Sequence, residues 1–369
     1  MIDMPELRIG HHTAKVPIVQ GGMGIGVSLS GLASAVANQG GIGVISAACI
    51  GFREPDFYTN FSEANVRALR KEIRKTRALS KGIIGVNIMV AMTNFADMVK
   101  TSIEEGIDII FSGAGLPLNL PEFLHGKSNT RLVPIVSSGR AAKIITKKWI
   151  EKYEYAPDAI VVEGPLAGGH LGFLPEQIRD PQYSLEHIVE DVINEIKPLE
   201  ASCQKQVPVI AAGGIYHGGD IYRIMSLGIS GVQMATRFVA TEECDASPAF
   251  KNQYVHANNE AIKIVKSPVG MPGRAISNSF LNDVEAGNTK PRQCPFHCIK
   301  TCNYLESPYC ISLALIHAQK GQRGLVFAGA NASRIHEITT VNQLFDLLKT
   351  EYSDCAMPLR DITAQHPTL

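Results

Sequence analysis

The sequence predicts an α/β fold: a (β/α)₈ barrel followed by a C-terminal cap subdomain. Three observations carry this. Short β-branched runs alternate with amphipathic stretches along most of the chain. The runs are apolar continuously, as in parallel strands buried on both faces, and not at every second residue as in a half-solvated sheet. Eight such units lie between residues 17 and 240 without an obvious break, close to the roughly 250 residues of a closed barrel. An open doubly wound sheet is the competing arrangement, and the unbroken run of eight favours closure.

The strands expected in order are Pro17–Gly22, Gly41–Ala47, Ile83–Met89, Asp108–Gly113, Leu132–Ser137, Ala159–Glu163, Pro208–Ala212 and Gly231–Thr236. Helices fall between them near Leu29–Asn38, Ser62–Leu79, Asn94–Glu105, Ala141–Lys152, Leu185–Ile196 and Gly219–Leu227. The clearest is Ser62–Leu79, with Ser62 as its N-cap and Leu69, Ile73 and Leu79 at helical spacing. After residue 240 this rhythm stops. Residues 1–240 therefore read as the barrel, and 241–369 as a cap holding a helix near Ser312–Gln319 and a final helix.

Of 369 residues, 45% are apolar, enough for a large core and against disorder of the whole chain. Charged residues are 19% and glycines number 33, a charge-poor, Gly-rich balance that suits an α/β enzyme better than a helical scaffold. The 35 Lys+Arg equal the 35 Asp+Glu, so no basic excess calls for nucleic acid. Val16 to Phe52 carries no charge, but repeated glycines with Gln20, Asn38 and Gln39 interrupt it, which fits buried strands better than a membrane span. The N-terminus has no apolar signal region, so a cytoplasmic protein is expected. Nothing in the sequence sets its oligomeric state.

Four motifs carry chemistry. PIVQGGMGIG (Pro17–Gly26) ends a strand in bare backbone that a ligand can approach. VPVIAAGGI and GVQMATRF supply the loops after strands seven and eight, the usual phosphate site of this barrel, with Gly213, Gly214, Gln233, Met234, Ala235 and Thr236 there. VVEGPLAGGHLG puts His170 behind Gly168 and Gly169 at the end of strand six, where a group with pKa near 6.5 exchanges protons at neutral pH. IGVNIM interrupts an apolar strand with Asn87, whose buried amide needs a partner in a ligand or the neighbouring backbone.

Taken together, PIVQGGMG, IGVNIM, EGPLAGGHLG, AAGGI and GVQMATRF, with a weaker continuation in SPVGMPGRAISNSF, resemble the nitronate monooxygenase family (formerly 2-nitropropane dioxygenases), which includes flavin-dependent enoyl-ACP reductases. The resemblance implies a TIM barrel that binds FMN. It implies that Gly22 and Met23 line the flavin ring, that Asn87 touches its polar edge, and that Gly168 and Gly169 lie near it. By the same transfer Gly213, Gly214, Met234, Ala235 and Thr236, with Gln233 beside them, hold the phosphate, and His170 is the catalytic base. FAGANAS stands where members carry a GQ-type segment, which would give Asn331 the ring contact of the family's Gln.

The function this implies is FMN-dependent oxidation of nitronates or related small acidic substrates. The alternative is enoyl-thioester reduction using NAD(P)H or a ferredoxin-like one-electron carrier, with Arg140, Lys143, Lys147 and Lys148 as a basic rim for an acyl carrier or else a solvated helix face. Cys294, Cys298, Cys302 and Cys310 are spaced C-x₃-C-x₃-C-x₇-C. Four such thiolates suit a 4Fe-4S cluster, or zinc with His297 as a substitute ligand, or remain free thiols; the first three are closer to cluster spacing than to a zinc knuckle.

Overall fold

The computed structural model describes residues 2–124 and 128–356. An antiparallel hairpin, β1 (Leu7–Ile9) and β2 (His12–Ala14), precedes the barrel. Strands β3 (Ile18–Gln20), β4 (Ile42–Ser46), β5 (Ile83–Met89), β6 (Ile109–Gly113), β7 (Arg131–Val136) and β8 (Ile160–Glu163) follow. After a two-residue strand β9 (Gly169–His170) come β10 (Val209–Ala212) and β11 (Gly231–Met234). Six of these eight neighbours run consecutively from β3 to β8, then β10 and β11 close the ring, with Val232 opposite Ile18. Every strand pair in the barrel is parallel. The closed arrangement expected from the sequence is the one observed.

Side chains alternate across the barrel wall, as strand geometry requires. Val19, Ile109, Phe111, Val133, Val161 and Ile210 fill the interior, together with Leu7, Ile9 and Ala14 of the hairpin, which plugs the amino-terminal end. Ile18, Ile110, Leu132, Ile160, Val162 and Val209 face outward into the layer beneath the helices. That layer is built by α1 (Ser30–Asn38), α2 (Phe61–Leu79), α3 (Phe95–Glu104), α4 (Gly139–Tyr153), α5 (Leu185–Cys203) and α6 (Gly218–Met225). Among the described residues, strand β6 is followed only by a short 3₁₀ turn, Leu120–Leu124. Ser62 is not the cap of α2: the helix starts one residue earlier behind Asn60, and the Ser62 hydroxyl donates to Asp97 at 2.9 Å.

After β11 the chain leaves the wall. Helices α7 (Thr236–Val239) and α8 (Pro248–Val255), strands β12 (Ile262–Lys266) and β13 (Pro272–Ile276), and helices α9 (Ser279–Glu285) and α10 (Ile311–Gln319) follow, and α7, α8, the turn between β12 and β13 and α10 line the cavity at the carboxyl ends of the barrel strands. Strand β13 pairs with β12 on one side and β9 on the other, stitching this segment to the loop after β8. The last helix, α11 (Val341–Ala356), then returns to the barrel. Its Leu344, Phe345 and Leu348 are buried in the same core as α1 and α6. The helical layer around the barrel is thus completed by a helix that the sequence reading assigned to the cap. Residues 357–369 of that expected segment lie outside the described residues. No helix among those described is long and apolar enough to cross a membrane; the uncharged stretch Val16–Phe52 folds as β3, α1, β4 and a 3₁₀ turn.

Candidate active site

A cavity of about 400 Å³ opens at the carboxyl ends of the barrel strands, beneath the cap. This is the end of such a barrel at which ligands bind. Its floor and walls include every residue that the motifs single out. Gly22 and Met23 follow β3; Asn87 stands on β5; Gly168, Gly169 and His170 follow β8; Gly213 and Gly214 follow β10; Gln233, Met234, Ala235 and Thr236 end β11. Residues scattered over more than two hundred positions therefore meet around one space.

Local backbone explains two of these choices. Gly213 and Gly214 take φ of +93° and +88°, a left-handed conformation that residues with a Cβ avoid. This turns the β10 loop back under the β8 loop, where the nearest neighbours are Gly164, Leu166 and Ala167. Gly22 lies so close to Asn87 that an added Cβ would collide with the Asn87 side chain and sit 3.2 Å from Val44. Bare backbone there leaves the inward face of β5 open to the cavity.

His170 is held from both sides. Its backbone pairs with Gly273 of β13. Its Nε2 shares a 2.7 Å hydrogen bond with the hydroxyl of Ser267, which is buried, and Phe327 meets the ring edge-to-face at 5.0 Å. Burial pushes its pKa down to about 4, because the charged ring would lose water without gaining a carboxylate. The imidazole is neutral at pH 7. Glu163, at the end of β8, also lines the cavity, and burial alone raises its carboxyl to about 7. Strand alternation accounts for its direction: Val161 faces inward and Val162 outward, so Glu163 faces inward again.

The loop that carries His170 is braced by Arg274 of β13. Its guanidinium donates to the carbonyl oxygens of Pro165, at 2.8 Å, and Ala167. Burial lowers the Arg274 pKa to about 10. Glu163, Ser267, Arg274 and Phe327 were not selected from the sequence. Glu163 had a readable signal, a charge ending an apolar strand, as Asn87 had. Ser267 and Phe327 reach the site from distant segments of the cap, and no local pattern marks them.

The Asn331 amide donates to the Gly214 carbonyl at 2.8 Å while the residue lines the main cavity. Two expectations change. Lys143 pairs with Glu195 at 2.7 Å and Lys147 with Glu151 at 3.6 Å along α4, so these lysines belong to a solvated helix face and not to a basic rim. No group of three or more His, Cys, Asp or Glu side chains among the described residues could hold a metal ion, so neither the iron–sulfur cluster nor the zinc expected at Cys294, Cys298, Cys302 and Cys310 is supported. The four cysteines nonetheless line one small cavity, with His297 among them. Cys49 lines the main cavity.

A closed (β/α)₈ barrel with its polar groups gathered at the carboxyl ends of the strands defines a barrel enzyme. The family model for nitronate monooxygenase matches residues 6–351; the chain belongs to that family of oxidoreductases. Similar curated proteins include a (3aS,4S,5R,7aS)-5-hydroxy-7a-methyl-1-oxo-octahydro-1H-indene-4-carboxyl-CoA dehydrogenase of Mycobacterium tuberculosis, 26% identical over 74% of this chain and 66% of its own length. The chain thus spans just under two thirds of that relative. A probable nitronate monooxygenase of Staphylococcus aureus is 25% identical over 73% of this chain and 77% of its own. Among solved structures, FabK from Thermotoga maritima superposes with a TM-score of 0.71 at 27% identity, covering 92% of this chain and 93% of that one.

Proposed function

We propose that the protein is an FMN-dependent oxidoreductase that oxidises nitronates or related small carbon acids, with His170 as the proton acceptor where the substrate enters as the protonated carbon acid and as a contact to the bound anion where it enters as the nitronate. The observation that carries this is a half-buried, neutral histidine held against the cavity by Ser267 and Phe327. The residues fit the cofactor. The left-handed pair Gly213 and Gly214 leaves room for a phosphate to approach backbone, with Met234, Ala235 and Thr236 across the same space. Gly22, Met23 and Asn87 would then flank the ring, and Gly168 and Gly169 its neighbourhood. When bound, FMN would accept the electrons that the substrate gives up and return them to dioxygen.

The chain's own part is proton handling and exclusion of water. In the tautomer whose Nε2–H donates to Ser267, the other ring nitrogen of His170 keeps its lone pair and can accept a proton from an acidic C–H. The apolar walls formed by Met89, Met92, Ile299 and Leu315 keep bulk water from competing. Glu163 offers a second titrating group in the same enclosure.

A second reading, oxidation or reduction of a thioester-linked substrate with NAD(P)H as partner, is supported by the carboxyl-CoA dehydrogenase among the relatives. The test is to purify the protein, read its flavin spectrum, and assay a nitronate with dioxygen against a crotonyl-type thioester with NADPH. Substitution His170→Ala is expected to lower kcat/KM by about 10²–10⁴-fold while the flavin bands persist. Unchanged turnover would remove His170 from the chemistry.

A further inference from the structure

We propose that Cys298 and Cys49 form a redox-active dithiol in the wall of the main cavity, with Cys298 as the thiol that a hydroperoxide oxidises and Cys49 as the partner that closes the disulfide. Both are free thiols in the structure. Cys49 follows β4 and lines the main cavity, while Cys298, in the segment between α9 and α10, lines a separate space of about 40 Å³. Ile299 and Ile311 border both spaces. The two cysteines are buried in one apolar cluster with Phe52, Phe57 and Phe296. Ser312, buried on the first turn of α10, joins them. Its oxygen accepts the Cys49 S–H at 3.6 Å and lies 3.0 Å from Cys298 Sγ.

The direction of the hydrogen bonds separates this pair from inert core thiols. Cys244 donates its S–H to the Val27 carbonyl at 3.4 Å, and burial pushes it up to about 12. Cys203 likewise donates to the Glu200 carbonyl at 3.6 Å. At Cys298 the order is reversed: with the Cys49 S–H on its oxygen, Ser312 is left to donate its own O–H to the Cys298 sulfur. Hydrogen bonds from Cys49 and Ser312, with the backbone N–H groups of Cys298 and Ile299, hold the Cys298 thiol down at about 7. The same contact with Cys298, and burial, push Cys49 well above the usual thiol range. Burial likewise lifts neighbouring Cys310 to about 11. The thiolate is the nucleophile, so the pair holds one attacking sulfur beside one protonated sulfur. Cys49 takes φ of +46° and His297, just before Cys298, +45°, a cost to residues with a Cβ that gathers at functional sites.

The small space beside Cys298 has room for molecules of water's size and not for bulky ones, which suits hydrogen peroxide. The Cys298 thiolate attacks one peroxide oxygen: the S–O bond forms, the O–O bond breaks, and the departing hydroxide takes up a proton as water. Cys298 is thereby oxidised to a sulfenic acid and the peroxide is reduced. The Cys49 sulfur then attacks the Cys298 sulfur: the S–S bond forms, the S–O bond breaks, and the hydroxide leaves as water with the Cys49 proton, relayed through Ser312. In sum, one thiolate, one thiol, one proton and one hydrogen peroxide give one disulfide and two waters. The bond would tie the turn after β4 to the segment between α9 and α10, so the redox state of the pair reaches the wall of the main cavity. The dithiol does not rest on the flavin reading, because the hydroperoxide comes from outside the chain.

The experiment treats the reduced full chain with one equivalent of hydrogen peroxide, blocks the remaining thiols, and maps a non-reducing digest by mass spectrometry. Fragmentation separates Cys298 from Cys294 on the same peptide. The expected result is loss of two thiols per chain and a Cys49–Cys298 link, with half-exposed Cys203 and exposed Cys355 still reduced. In Cys49→Ser, Cys298 should stop at a sulfenic acid that dimedone traps. Ser312→Ala should slow oxidation of Cys298 by about tenfold or more, while Cys355 reacts as before. A disulfide among Cys294, Cys302 and Cys310, oxidation that begins at Cys355, Cys298 left reduced, or Cys298 oxidised with Cys49 still free would each overturn the proposal. All four are read on the wild-type protein, so none depends on a variant folding.

Discussion

Two ionisable side chains in the cavity have been moved in opposite directions by the same cause, and they respond differently to pH. Burial lowers His170 to about 4 and raises Glu163 to about 7, since each is cheaper to bury uncharged. Activity should therefore show no break near the ordinary histidine pKa of about 6.5, and one near 7 that disappears in Glu163→Gln. A pH profile of kcat/KM for both proteins checks this, and an unchanged break in the variant would assign it to another group. Stability follows by linkage. His170 contributes stability fully above its unfolded value and loses it as pH falls toward about 4. Glu163 contributes stability below its unfolded value and loses it as pH rises through about 7. Glu163→Gln should accordingly raise the Tm relative to wild type at pH 8 and have a smaller effect at pH 5. Asn87 and Glu163 illustrate how legible such residues are: each is a polar break in an otherwise apolar strand. Only Asn87 was singled out, because Glu163 also reads as the ordinary end of its strand.

At the scale of elements, the loop 164–170 matters because a strand from the cap fixes it. Strand β13 pairs with β9 and sends Arg274 back to two loop carbonyls. Replacing it by methionine keeps the packing and leaves those acceptors without donors, at a cost of about 1–3 kcal/mol. Arg274→Met is expected to lower the Tm and to speed amide exchange of residues 166–170 before the rest of the barrel. Uniform exchange would show that the loop is not separately braced. The eight strands and their helices were readable because hydrophobic periodicity is a local property. The pairing of β9 with β13 was not, because a two-residue strand has no period and its partner lies a hundred residues on. For the same reason the glycines and His170 could be chosen from their motifs, while Ser267 and Phe327 could not.

At the scale of the whole molecule, the core beneath the helices is continuous from α1 through α6 to α11. Phe345 of α11 is fully buried and its ring lies 6.0 Å from that of Phe238. Phe345→Ala should cost about 3–5 kcal/mol. Trp149, the single tryptophan, is fully buried on α4, with its indole N–H donating to the Pro117 carbonyl at 3.0 Å. Its fluorescence reports on the far side of the barrel. The variant is expected to shift the Trp149 unfolding transition to lower temperature in step with far-ultraviolet circular dichroism. A helix signal lost early, with the tryptophan transition unmoved, would mean that α11 is an independent appendage.

The late return of α11 also sets an order of events during translation. About 100 residues separate β11 from α11, so at roughly 5–20 residues per second a ribosome needs about 5–20 seconds to make them. Throughout that interval the nascent barrel presents an open apolar seam between α1 and α6, while the chain being made is the one that roofs the cavity. Synthesis of the cap and closure of the helical layer are thereby tied together.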